Sequence, residues 1–109
     1  GTQGTSTSVF TRVGSLELAV PATHTATFVA RLETSAPSNP AIVRLFDVAA
    51  NEEVGGSVLQ TPETQPETLT AAITLPSSLR TYEVQIRLTA ANQAQRAIVT
   101  RALIQVEPS

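Results

Sequence analysis

The chain has 109 residues, of which 41% are hydrophobic and 15% are charged, so it suits a single domain with one core and is not a disordered chain. Its formal net charge is −2, and seven arginines with no lysine are spread among nine acidic residues, which excludes the basic stripe that nucleic-acid binding needs. No apolar run approaches the ~18 residues of a membrane span, so we expect no membrane insertion.

The first eight residues contain only Gly, Thr, Gln and Ser and therefore have no apolar anchor of their own. We interpret residues 1–8 as an N-terminal arm, either flexible or docked, and residues 9–109 as a single β-sandwich domain. A docked arm would lie on its own sheet or on a neighbouring chain, with Val9 and Phe10 as the nearest hydrophobic foothold. An extended arm of this length reaches ~26–29 Å and could add a strand to a neighbour's sheet edge.

Strict alternation of polar and apolar residues from Thr81 to Leu88 predicts a half-buried β-strand, because side chains on a strand alternate between its two faces. The inward residues of this strand are Tyr82, Val84, Ile86 and Leu88. We expect Leu69, Ile73 and Phe28 to lie close to them. The other predicted strands cover residues 9–13, 16–20, 24–33, 41–48, 57–61, 68–75 and 96–106.

The last of these strands has an imperfect pattern, with apolar residues on both faces. One face would carry Ile98, Thr100, Ala102, Ile104 and Val106, and the other Val99, Arg101, Leu103 and Gln105. The strand is therefore either buried on both sides or bulged. No segment has a sustained apolar stripe of helical period. Many short strands joined by polar and proline turns indicate an all-β sandwich or barrel.

Residues that could support catalysis are scarce. The only histidine is His24, so a Ser-His-acid arrangement has a single possible base and no second residue placed beside it. Without cysteine there is no thiolate metal site. Asp47, Glu52 and Glu53 form the only local acid cluster, which is a calcium loop or, more simply, a solvated acidic loop; the spacing matches no known calcium loop. We expect no enzymatic activity and no cofactor, catalytic residue or metal ligand.

One predicted strand carries apolar side chains on both faces. Ile42, Arg44 and Phe46 alternate with core-type residues at positions 43 and 45. This pattern indicates either a central strand packed on both faces or a protein contact, for which Arg and aromatic residues are the usual anchors. Our interface candidates are therefore Val9, Phe10, Ile42, Arg44 and Phe46.

Three segments together are similar to a known family. They are Val-Arg-Leu-Phe-Asp-Val at 43–48, Glu-Val-Gly-Gly-Ser at 53–57 and the stretch from Leu75 to Arg87. These segments resemble the small jelly-roll modules of tailed-phage virion proteins, such as capsid decoration and tail-fibre domains, over roughly residues 25–106. Together with the seven to eight strands predicted from the alternation, the resemblance implies a jelly-roll-like antiparallel β-sandwich with a structural or surface-binding role. It transfers no functional residue.

We therefore expect a non-catalytic structural or adhesion module on a virion surface or in another extracellular setting. Its partners would be copies of itself and other structural proteins of an assembly; a homotrimer is implied by the resemblance alone. The alternative is a carbohydrate-binding or lectin-like module of a larger secreted protein that binds surface glycans. Phe28 and Tyr82 lie on predicted core faces, which leaves only Phe10 and Phe46 for stacking on a sugar. A lectin-type site would instead be polar and built from Asn, Gln, Asp and Arg.

Overall fold

The computed structural model describes residues 3–108, and within this range the chain forms nine β-strands and no helix. No helix of the described residues is therefore long and apolar enough to cross a membrane. The strands are β1 (Gln3–Thr5), β2 (Thr11–Leu18), β3 (His24–Thr34), β4 (Ala41–Asp47), β5 (Glu52–Glu53), β6 (Leu59–Thr61), β7 (Glu67–Ile73), β8 (Arg80–Leu88) and β9 (Ala97–Pro108).

These strands form two antiparallel sheets packed face to face, which confirms the predicted all-β sandwich. One sheet has the order β1-β9-β3-β7. The other has the order β2-β8-β4-β5, with β6 also paired to β4. Two short strands, β1 and β5, were not predicted, because Gln-Gly-Thr and Glu-Glu contain no apolar side chain and therefore show no alternating pattern.

The predicted strands at 9–13 and 16–20 are one continuous strand, β2. A β-bulge explains the break in the pattern: Arg12 pairs with Gln85 and Gly14 pairs with Val84, so that Val13 is an extra residue. The inserted residue shifts the alternation by one position, and Val13 packs against the same core as Leu16.

The inward face of β8 is buried as predicted. Tyr82, Val84, Ile86 and Leu88 belong to the core cluster, together with Phe28 and Ile73, and Leu69 packs against that cluster. Burial of the ring, and secondarily the nearby Asp47 carboxylate, raise the pKa of Tyr82 above its usual range.

Strand β9 is bulged rather than buried on both sides. Arg101 pairs with Arg31, whereas Val99 pairs with the next residue of β3, Leu32, so Thr100 is left over. The extra residue shifts the alternation, and Val99 before the bulge and Ile104 after it both face the core.

The described part of the N-terminal arm is docked on its own chain. Strand β1 pairs antiparallel with β9, with Gly4 opposite Ile98. The arm then crosses to the second sheet, where the Leu88 N–H donates to the Thr7 carbonyl oxygen at 2.8 Å. Gly1 and Thr2, which the predicted arm includes, lie outside the described residues. Contact of the arm with a neighbouring chain stays a prediction.

Candidate protein-contact surface

The outer face of the β2-β8-β4-β5 sheet carries an arginine that contacts two aromatic rings. The central guanidinium carbon of Arg44 lies 3.9 Å from the centroid of the Phe10 ring and 5.2 Å from that of Phe46. We call Phe10, Arg44 and Phe46 the aromatic stack. The structure thus brings together three of the predicted interface residues.

Strand pairing places the members of the stack. Strand β4 lies between β8 on one side and β5 and β6 on the other, so its core-facing residues are buried while Arg44 and Phe46 point outward. Phe10 immediately precedes β2, the strand on the far side of β8. Three segments that are distant in sequence therefore meet on one face.

A buried serine supports β4 beneath the stack. Strand β6 pairs with β4 up to Val43, and β5 begins to pair at Phe46, which leaves a gap in the ladder. In this gap the Leu45 N–H donates to the Ser57 hydroxyl oxygen at 3.1 Å, and the Ser57 hydroxyl donates to the Val54 carbonyl oxygen at 2.7 Å. The serine therefore replaces a strand partner and holds the backbone between Arg44 and Phe46.

Polar contacts orient the Arg44 side chain. Its Nε donates to Gln85 Oε1 at 2.8 Å, and one terminal nitrogen lies 3.3 Å from Glu53 Oε1. Gln85 in turn donates to Glu83 Oε1 at 3.0 Å, and Arg12 lies 3.9 Å from the other Glu83 oxygen. These contacts fix the guanidinium plane, so little side-chain entropy remains to be lost on binding.

A second guanidinium contacts the same ring. The Arg87 guanidinium carbon lies 5.0 Å from the Phe10 centroid, so that Phe10 contacts both Arg44 and Arg87. Each such contact contributes about 0.5–1 kcal/mol at an exposed site. Phe10 is therefore held in place although it belongs to the loop between β1 and β2.

The two remaining interface candidates differ in exposure. Val9 is 73% exposed and adjoins Phe10. Ile42 is only 6% exposed, so it offers almost no surface to a partner. Of the two interpretations of β4, the strand packed on both faces describes Ile42, whereas Arg44 and Phe46 keep part of their surface accessible.

The polar residues that hold the stack were not among the predicted interface residues. Gln85, Glu83 and Glu53 were assigned to solvent or to a turn, yet they form the hydrogen-bonded surroundings of Arg44. The alternation did show that β8 has an unbroken polar face. It could not show that β8 pairs with β4 and so places Gln85 beside Arg44, because this pairing is a long-range contact.

The residues weighed for catalysis and metal binding lie elsewhere. His24 is half-buried, with its Nδ1 3.4 Å from the Thr23 hydroxyl oxygen, and it takes part in none of the ion pairs of residues 3–108. Within that range no group of three or more His, Cys, Asp and Glu residues could hold a metal ion.

Two members of the acid cluster of Asp47, Glu52 and Glu53 are engaged in other contacts. Asp47 Oδ2 accepts a hydrogen bond from Arg80 at 2.9 Å, and its Oδ1 accepts one from the Ala50 N–H at 3.1 Å. Burial opposes ionisation of Asp47, but the Ala50 N–H and Arg80 outweigh it and lower the pKa of this carboxyl below its usual range. Glu53 is paired with Arg44.

Comparison of this chain with known proteins identified no relative. No family model matches the chain, and neither a curated protein nor a solved structure is significantly similar to it.

Proposed function

We propose that this chain is a non-catalytic structural or adhesion module that acts through protein–protein contacts at the aromatic stack. The observation that carries the proposal is the contact of Arg44 with both Phe10 and Phe46, together with the exposed Val9 that adjoins Phe10. Arginine and aromatic side chains dominate the binding energy of protein interfaces, especially when they are held in place before binding.

We also propose that the sandwich is a jelly roll. The support is the nested order of strand pairing, in which β1 pairs with β9, β2 with β8, β3 with β7, and β4 with β5 and β6. Such nesting is what results when one long hairpin, with its tip near β5 and β6, is wound around a core. Jelly rolls are double-sheet folds that occur in capsid and lectin domains.

The setting that we propose is a virion surface or another repetitive extracellular assembly, with copies of this chain and other structural proteins as partners. The resemblance of residues 43–48, 53–57 and 75–87 to phage jelly-roll modules supports this setting, and it alone suggests a trimer. Two structural observations argue against the sugar-binding alternative. Phe28 and Tyr82 are fully buried, and the rings of Phe10 and Phe46 contact Arg44.

The test is a matched pair of surface substitutions followed by sedimentation velocity over a range of protein concentrations. Val9→Asp places a charge beside the stack, whereas Leu79→Asp places the same charge at another exposed apolar position, 67% accessible and remote in sequence. We expect Val9→Asp to weaken self-association by about tenfold or more, as loss of an interface anchor does, and Leu79→Asp to leave it unchanged. Equal association of both variants and the unmodified chain would refute the contact at the stack.

A further inference from the structure

The longest strand of the fold has an unpaired edge. Within residues 3–108, β1 covers β9 only from Ala97 to Val99, and from Arg101 to Pro108 β9 is paired with β3 on one side alone. No other strand of residues 3–108 pairs with this edge. Every second residue along it therefore directs its backbone N–H and C=O away from the sheet, which makes the edge a template for another strand.

Burial along β9 indicates that this edge lacks a cover. Ala97 and Val99, where β1 is present, are 0% and 5% exposed. Ala102, Ile104 and Val106 face the same core further along the strand, yet they are only partly buried. An additional strand beside them would bury this apolar surface.

The edge is regular between two limits. The bulge at Thr100 interrupts the ladder at one end, and Pro108, which has no N–H to donate, limits it at the other. Residues 101–107 contain neither a proline nor a bulge, and Ile104 lies at their midpoint. A long edge without such protection is the type that pairs with a second chain.

We propose that a second copy of this chain pairs with β9 in antiparallel orientation, with Ile104 on the twofold axis. This register places Arg101 opposite the partner's Glu107 and Leu103 opposite the partner's Gln105, with each contact repeated by symmetry. Directly opposite residues of an antiparallel pair share one face, so the oppositely charged groups meet on the outer face. The two β1-β9-β3-β7 sheets become one continuous sheet.

The charges around Arg101 favour this partner. Within its own chain Arg101 lies opposite Arg31, and like charges in that position are destabilising. Neither Arg101 nor Glu107 belongs to the ion pairs of the described chain. A pairing centred on Leu103 instead would place Arg101 opposite the partner's Gln105 and leave Glu107 without a cation. Centring on Ile104 provides a carboxylate for each Arg101.

This dimer goes beyond the proposed function and does not depend on it, because β9 belongs to the other sheet from the aromatic stack. Val9 and Phe10 belong neither to β9 nor to the residues that the proposed pairing brings together. A variant at β9 and a variant at Val9 therefore report on different surfaces, and either proposal can fail without the other.

The direct test is charge exchange, read out by sedimentation equilibrium. Arg101→Glu and Glu107→Arg each create like-charge contacts at both symmetric positions, and we expect each to weaken the dimer by about 100-fold, roughly tenfold per contact. The double variant Arg101→Glu with Glu107→Arg restores opposite charges and should restore the dimer. Arg96→Glu makes the same charge change at an exposed position outside the edge and should have no effect. Thermal melts establish that each variant is folded.

A cross-linking experiment tests the register. The chain has no cysteine, so single thiols can be introduced without interference. Leu103→Cys and Gln105→Cys chains, mixed under mild oxidation, should form a disulfide-linked heterodimer much faster than either variant alone. A monomeric wild-type chain at all concentrations, a double charge variant that fails to dimerise, or equal cross-linking in all three samples would overturn the proposal.

Discussion

Gly4 lies so close to β9 that a Cβ atom at this position would be 2.7 Å from the Ala97 carbonyl oxygen and 3.3 Å from the Ile98 side chain. Real Cβ atoms do not approach a backbone oxygen to this distance, so β1 can dock in its observed position only with glycine there. The arm is therefore held by close backbone packing, which compensates for its lack of apolar side chains.

Gly4→Ala should detach β1 or push it away from β9 and lower the free energy of unfolding by about 1–3 kcal/mol, the usual cost of overpacking. Gly14→Ala is the matched control, since a Cβ at position 14 meets nothing within 4 Å. Chemical denaturation of both variants measures the difference. Equal stability of the two would show that β1 does not pack against β9 as described.

Ile86 belongs to the hydrophobic core: it is fully buried and pairs with Val43 of β4 and Thr11 of β2. Ile86→Ala should cost about 2–5 kcal/mol, because it removes buried methylene groups and leaves a cavity. Leu79→Ala, at a mostly exposed site, should change stability by less than about 0.5 kcal/mol. A loss at Ile86 as small as that at Leu79 would place this residue outside the core.

Asp47 gives the fold an acid-sensitive contact. The pKa of Asp47 is lower in the folded chain than in the unfolded chain. The carboxylate therefore stabilises the fold fully above the unfolded pKa of about 3.9. This stabilisation is lost as the pH falls through the folded pKa. Asp47→Asn should flatten the loss of stability below about pH 4. Glu17→Gln, at an exposed position, serves as the control. Melting temperatures measured from neutral to acidic pH test this: parallel curves for Asp47→Asn and wild type would contradict it.

Asn39 joins two loops at one end of the sandwich. Its side-chain nitrogen donates to the Ala90 carbonyl oxygen at 2.7 Å and to Gln95 Oε1 at 2.8 Å, and its Oδ1 accepts from the Ala90 N–H at 2.9 Å. Asn39→Asp keeps the acceptor but loses both donors, and should cost about 1–3 kcal/mol.

The exposed Asn92 provides the comparison for Asn39. Its Oδ1 accepts from the Ala94 N–H at 2.9 Å, a bond that Asn92→Asp can retain. Denaturant titration of both variants should show a loss of stability for Asn39→Asp alone. Similar midpoints for the two would mean that the link between the loops contributes little.

The period-two pattern predicted most long strands, because burial of one face dictates the residue type at every second position. The prediction failed where a β-bulge shifts the alternation. The extra residue Val13 made β2 resemble two separate strands, and the extra residue Thr100 made β9 appear apolar on both faces. A bulge is defined by the partner strand, and a local pattern does not identify that partner.

The aromatic stack was predicted only in part, again because a local pattern does not identify the partner strand. Arg44 and Phe46 share a face of one strand and were recognisable together, and Phe10 was selected separately as a hydrophobic foothold. Their meeting depends on the order of β2, β8 and β4 in the sheet, which arises from long-range pairing. Ile42 shares the same face but is covered, a difference in burial that residue type alone does not reveal.

The most direct test of the contact at the aromatic stack is the reactivity of a single thiol placed beside it. In a chain without other cysteines, the alkylation rate of Val9→Cys can be compared with that of Leu79→Cys at increasing protein concentration. Both positions are exposed in the isolated chain, so both thiols should react rapidly when dilute. We predict that the thiol at position 9 becomes protected as the chains associate while the thiol at position 79 stays reactive. A thiol at position 9 that reacts equally fast at every concentration would contradict the proposed contact.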